Sequence, residues 1–533
     1  MRTRSRFGLL ALVVAAASTT PVAARADVVP AAVKKPEKPA PPTPATPAAA
    51  PKPPTPPTPP TPPTAPVVAA SAAAPAEKKP VNKAAPAGAS ATARASTVPA
   101  DKAQPPAELH FDVKRATLEN GLRVVMLVDH TSPTVAVDVV YDVGGRNEER
   151  GRSGFAHLFE HMMFQGSKNV ARGDHFKLVT SHGGTLNGTT SEDRTNYFEM
   201  LPSSELPLGL WLEADRMKSL DVSQSNFENQ RSVVKEEYRM RVENAAYVPA
   251  AIRLQELVYQ GYWPYEHSAI GTMRDLDAAQ LDWVRAFHAA YYAPNNAVLS
   301  IAGDFDENEA MALVRKYFGS AKPQPNVPKF EPPPLPQQTQ ERSVIVEDTH
   351  AKLPAFFAGW VIPASHEPDH YALAMAAMLL GDGESSRLHR ALVRERGLAV
   401  EADASVDGYR GPDTFEVVVK LASGAKMDQV KKLVDSQIRD VARLGPSDAD
   451  MKKLQNRMRA RFLLGLQSNF ARAQKLAEME VYRGDARLLN EELGRYLAVT
   501  KDDIKRVVAK YLTSERRSSV EVKPGQAAQG EKK

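Results

Sequence analysis

The sequence predicts an α+β protein made of two similar halves, each a mostly antiparallel sheet with helices packed on one side. Two observations carry this expectation. Short apolar runs of strand length are interspersed with longer segments whose apolar residues recur at three- and four-residue spacing. The same order of runs then returns after a proline-rich break, "KPQPNVPKFEPPPLPQQ" at 322–338, as it does in an internal duplication. A length of 533 residues agrees with more than one domain.

The first 26 residues read as a secretory signal peptide. Arg2, Arg4 and Arg6 precede an apolar run over 7–17, and Ala24-Arg25-Ala26 forms a cleavage site. The run is too short to span a bilayer, so the mature chain is expected to have no transmembrane segment and to reside in the periplasm or beyond. The chain contains no cysteine, which removes both disulfides and a lipid-bearing thiol. The formal charge of +5 loses four arginines and no acid with the signal. The mature chain is thus close to neutral, and without a basic patch interleaved with aromatics nucleic acid is excluded as a partner. Residues 27–107, rich in Pro, Ala, Thr and Lys, cannot bury enough apolar area to fold and are expected to form a disordered, extended tether.

The globular pattern starts near 108. "LRVVMLVD" (122–129) and "TVAVDVVYDVG" (134–144) read as strands, a run of helices follows, and "NNAVLSIAGDF" (295–305) closes a first domain over 108–325. After a linker at 326–340 come a strand in "PAFFAGWVIPA", helices in "PDHYALAMAAMLLGDGESSRLHRALV", a strand in "DTFEVVVKLAS" and an amphipathic helix over 426–443. This second domain is placed at 341–522, with a disordered tail at 523–533.

The first half carries "GFAHLFEHMMF" (154–164). Residues three and four apart share one face of a helix, so His157, Glu160 and His161 point the same way inside an apolar segment. Two imidazoles at i and i+4 can grip one zinc ion, leaving the glutamate free to act on water there. Two hydrogen-bonded core histidines with a solvated glutamate would give the same letters, and a third ligand decides between the readings. The corresponding helix of the second half has no such motif. "HEPDH" (366–370) fits a zinc pattern by letter only, because Pro368 belongs at a first helical position and places His366 outside the helix.

The candidate third ligand is Glu237, in the helical pattern "SNFENQRSVVKEEYRMRVEN" (225–244). It follows Val233 and Val234 by four and three residues, on the apolar side. Glu236 is rotated from it by roughly 100° and, like Glu228 and Glu243, suits the surface. Here the sequence resembles the pitrilysin/insulinase family of zinc metallopeptidases, especially the branch with mitochondrial processing peptidase and bacterial periplasmic proteases. That family has His-x-x-Glu-His followed far downstream by a glutamate ligand, here 76 residues after His161. "GGTLNGTTSEDRTNYFEMLP", "WLEADRM", "YYAPNNAVLSIAGDF" and "SSRLHRALVRERGLA" also look like family segments, and the likeness covers about 109–522.

The resemblance implies half of a clamshell peptidase chamber, with one zinc ion per chain held by His157, His161 and Glu237, Glu160 as general base, and peptide as substrate. It also implies that the strand containing Asn187 and Gly188 binds an extended substrate along its edge; His182 reads as a loop histidine. Active relatives use an Arg and a Tyr seven residues apart in the half without metal. Val393 and Val400 stand there in this sequence, and neither can donate a hydrogen bond. The expectation is a zinc-bearing subunit whose homologous partner supplies the Arg and Tyr in a heterodimer. A self-sufficient homodimer and a non-catalytic scaffold are the alternatives.

Overall fold

Strands with alternating or continuous apolar residues build two sheets in a computed structural model that describes residues 110–525. The expected signal peptide, the tether and the end of the tail lie outside these residues. In the first half, β1 (Lys114–Thr117), β2 (Arg123–Val128), β3 (Thr134–Tyr141), β4 (Thr185–Thr190), β5 (Thr195–Pro202) and β6 (Ala297–Gly303) pair in the order β1-β2-β6-β3-β5-β4. In the second, β7 (Arg342–Asp348), β8 (Ala355–Ile362), β9 (Ala399–Val406), β10 (Asp413–Leu421) and β11 (Ser518–Pro524) pair as β7-β11-β8-β10-β9. Only β2–β6 and β7–β11 are parallel among these pairs. Without β1, the two orders superpose strand for strand, so the duplication read from the sequence is a duplication of topology.

The helices of the first half are α1 (Phe155–Met162), α2 (Asp174–Ser181), α3 (Leu206–Ser219), α4 (Gln224–Tyr238), α5 (Val248–Val258), α6 (Trp263–Glu266), α7 (Met273–Ala278), α8 (Leu281–Tyr291) and α9 (Glu307–Phe318). Those of the second are α10 (Pro368–Gly381), α11 (Met427–Leu444), α12 (Asp448–Gly465), α13 (Asn469–Arg483), α14 (Leu489–Leu497) and α15 (Lys501–Tyr511). α1 and α10 both follow the second strand of the repeated unit and precede its edge strand.

Each sheet buries one face under its own helices. Val135, Val137, Val139 and Tyr141 of β3 meet α1, α3 and α9, while Phe356, Ala358 and Trp360 of β8 meet α10, α11 and α15. The opposite faces are covered by an exchange that period alone does not announce. Ala473, Leu476 and Ala477 of α13 pack on Val125, Ala136, Val140 and Val298 of the first sheet. Leu254 and Val258 of α5 pack on Phe357, Val520 and Val522 of the second. Both faces of β3 and β6 are therefore dry, which is why their sequences read as continuous apolar runs.

The tail begins later than expected. β11 stays paired with β7 through Pro524, opposite Asp348, and Gly525 N–H donates to Asp348 O at 2.8 Å. Parallel pairing thus carries order past residue 522. Among the described residues no helix is long and apolar enough to cross a membrane.

Candidate active site

α1 enters through a turn that only glycine fits. Gly154 has φ 86°, and a Cβ there would lie 2.7 Å from Ile270 O. Glu148 then caps the helix: its two carboxylate oxygens accept from Gly154 N–H and Ala156 N–H, each at 2.8 Å, satisfying donors that a helix start leaves open. The whole of α1 is buried, with His157 and Glu160 at 0% exposure and His161 at 6%.

α4 brings Glu237 to it. Phe227, Gln230, Val234 and Glu237 form its buried face, and Glu236 is solvent-facing. The role expected of Val233 is corrected here, since Val233 is 42% exposed; a residue four before Glu237 lies at the margin of that face, and Val234, three before it, points inward. Glu237 Oε2 sits 3.1 Å from His161 Nε2 and 3.7 Å from His157 Nε2. The imidazole rings are 4.8 Å apart and nearly perpendicular, and one ligand atom from each of the three residues lies within 4.8 Å of the others. Both ring nitrogens of His157 are buried with no hydrogen-bond partner, and His161 Nε2 has the Glu237 carboxylate beside it. Buried nitrogens are rarely left this way unless something else binds them. Burial, with the neighbouring His161 adding to it, pulls His157 down to about 3, which keeps its imidazole neutral as a metal ligand must be. Two imidazole nitrogens and one carboxylate oxygen converging in a dry site fit zinc.

Glu160 stands beside this triad and outside it. Its Oε2 accepts the Thr190 hydroxyl at 2.5 Å, while Oε1 is buried without a partner. Burial raises its carboxyl to about 7, against the opposing pull of His161 and Thr190. Thr190 ends β4, which among the described residues pairs only with β5 and is the sheet edge. Gly188 lies on the same strand, and a Cβ there would come within 3.0 Å of Glu160 Cγ and 3.2 Å of Phe164. Asn187 is half-buried, its Oδ1 accepting from Gly188 N–H at 2.9 Å. The edge strand thus runs directly over the carboxylate.

His182 ends α2, exposed, with Nδ1 2.7 Å from Leu178 O. Pro368 opens α10 after Glu367, so His366 precedes the helix, and His370 pairs with Asp413 at 2.6 Å. A second buried group, His175, Glu199 and Glu213, also has metal-like spacing. Arg216 fills it, forked onto Glu213, 3.6 Å from Glu199 and stacked over Tyr197 and Phe164. A guanidinium there takes the place of a cation. The sequence reading missed this network and the roles of Glu148 and Thr190. The Glu213/Arg216 spacing of three residues on one helix was the available signal. In the second half, Val393 is half-buried against its core, and Val400 on the edge strand β9 is 54% exposed.

A family model described as Insulinase (Peptidase family M16) matches residues 123–262, and one described as Peptidase M16 inactive domain matches 278–458. The zinc protease PqqE of Helicobacter pylori is 31% identical over 412 residues, 76% of this chain and 92% of that one. The chain belongs to the M16 peptidase family. Other M16 relatives include a probable mitochondrial-processing peptidase subunit beta of Arabidopsis thaliana, 23% identical over 413 residues, 75% of this chain and 76% of the other. The crystal structure of a Helicobacter pylori protease superposes with TM-score 0.74 at 30% identity, covering 78% of this chain and 100% of that one. Pitrilysin shares the M16 fold at TM-score 0.65 and 18% identity; 79% of this chain is covered but only 46% of pitrilysin. Among the described residues, the second half of this M16 chain holds no triad of the kind found in the first.

Proposed function

We propose that this chain is a zinc-dependent endopeptidase for unfolded or short peptides, acting in the periplasm as the metal-bearing subunit of a heterodimer. The observation that carries the reading is the buried convergence of His157, His161 and Glu237 beside an uncoordinated Glu160. Zinc held by the three would polarise the scissile carbonyl and lower the pKa of a water to about 7. Glu160 is built to move the proton. Thr190 fixes Oε2, leaving Oε1 to take a proton from the attacking water and return it to the leaving amine. An extended peptide pairs with the open edge of β4, where Asn187 and Gly188 align its carbonyls over Glu160.

Val393 and Val400 offer no donor to a substrate carbonyl or to charge developing on it. A homologous subunit bearing Arg and Tyr there completes the chamber. The periplasmic assignment is supported by the export signal read from residues 1–26 and by the fold shared with the periplasmic protease PqqL of Escherichia coli.

The test is turnover of a quenched, unstructured peptide by the zinc-loaded mature chain, alone and with candidate homologous subunits. Cleavage is expected only in the mixture and should vanish in Glu160→Gln while zinc stays bound. Strong cleavage by the chain alone favours the homodimer, and cleavage unchanged by Glu160→Gln refutes the role given to that carboxylate.

A further inference from the structure

Glu237 turns one carboxylate oxygen toward the histidine pair, and the other is not left to chance. Beyond Glu237 the helix does not unwind into a loop but widens into a π-helical turn over Arg239–Glu243, a feature frequent at functional sites. Arg241 stands on that turn as an ion-pair partner, its Nε 2.9 Å from Glu237 Oε1 without the alignment of a hydrogen bond. A few residues on, Tyr247 adopts φ 71°, alone among the described non-glycine residues in the left-handed region. A bulky side chain keeps such a conformation only where its surroundings over-determine it. The surroundings belong to the second half. Tyr247 N–H donates to Asp348 Oδ2 at 2.6 Å, and its hydroxyl donates to Leu353 O at 3.1 Å. Asp348 is buried at the end of β7, its Oδ1 accepting from His350 N–H and Ala351 N–H.

We infer that Arg241 is a positioning residue for the third metal ligand, holding Glu237 Oε1 so that Oε2 faces His157 and His161, with Tyr247 and Asp348 pinning the turn that carries it. The inference rests on Glu237 being a zinc ligand. Carboxylates that bind metals are oriented by such outer partners, and losing one typically costs 10–100-fold in affinity. The π turn matters because it changes the rise and rotation after Glu237, and so decides where Arg241 returns. The second half thereby takes part in shaping a site to which it contributes no ligand.

The experiment is the zinc affinity of the full chain, measured by competition with a chromophoric chelator, beside the melting temperature of the metal-free protein. Arg241→Met is expected to weaken zinc binding about 10–100-fold with little change in metal-free melting, and Arg241→Lys to recover most of the loss. Asp348→Asn, which turns a donor toward Tyr247 N–H, should weaken binding in the same direction. In a Glu237→Gln background, Arg241→Met should cost little more, since the residue acts through that carboxylate. Wild-type affinity in Arg241→Met, or an equal loss with and without Glu237, overturns the inference while leaving the zinc site standing. A wild-type chain that takes up no zinc removes the site itself, and the inference with it.

Discussion

The backbone N–H of Arg410 donates to Asp193 Oδ2 at 2.8 Å, joining the β9–β10 turn of the second half to the β4–β5 turn of the first. These are equivalent turns of the two repeats, so the duplicated units meet through the same piece of themselves. Asp193 Oδ1 also accepts from Arg146 and from the Tyr265 hydroxyl, and Arg410 reaches Asp142 at 2.8 Å.

Removing that carboxylate should loosen the joint. Asp193→Ala leaves Arg146 buried with Asp142 as its remaining ion-pair partner, and breaking a buried pair in this way costs on the order of 3 kcal/mol. The urea midpoint of the variant is expected to fall accordingly. A midpoint equal to wild type would mean that the Asp193 carboxylate does not help to hold the two halves together.

A second prediction concerns pH. Asp138 lies on β3 beneath α13, and burial raises its carboxyl from 3.8 to about 7 in the folded chain. Between those values the unfolded chain ionises while the folded chain keeps its proton. Stability therefore falls as pH rises from about 4 to about 7 and levels off above that. Asp138→Asn keeps the acceptor used by Asn196 and carries no titrating proton. Its melting temperature relative to wild type should climb between pH 5 and pH 8; parallel curves would sink the idea.

Gly188 offers a direct test of the closeness of strand and carboxylate. Alanine there must push Glu160 and Phe164 back by a few tenths of an ångström, and catalysis is sensitive to such shifts, a displacement of about 1 Å costing as much as 100-fold. Gly188→Ala should retain zinc and lose about three- to tenfold in kcat for an unstructured peptide. Unaltered kcat would show that Glu160 tolerates a shifted strand.

The two valines can be replaced by what they lack. Val400 is exposed on an edge strand and should accept tyrosine readily, whereas Val393 rests against the second core and an arginine there must reach outward. Val393→Arg with Val400→Tyr is expected to raise peptide turnover by the chain alone by about 100-fold, the low end of what one donor at a developing charge supplies. No gain from a folded double variant would count against assigning the partner's contribution to those two positions.

Much of the site was legible because its spacing is local. His157, Glu160 and His161 share a helical face whatever surrounds them, and Glu237 belonged to an apolar face even though Val233 did not. The partners that hold these side chains were not legible. Glu148 reaches α1 across a glycine turn, Thr190 reaches Glu160 from a strand thirty residues away, and Arg241 depends on a π turn that no apolar period encodes. The strand order was readable as a duplication, but which helix covers which outer face is chosen by tertiary packing, so the exchange of α5 and α13 had no signature in either half alone.

That exchange sets a timetable for the chain's own making. The outer face of the first sheet is completed by a helix ending at Arg483, far along the chain from β3, so a nascent chain emerging from its N-terminus keeps Ala136, Val140 and Val298 wet until nearly all of it has been made. Such long-range closure slows folding. Under the export route proposed above, a first half that cannot finish early suits passage through a channel before folding, because the final seal forms only when almost the whole chain has come through.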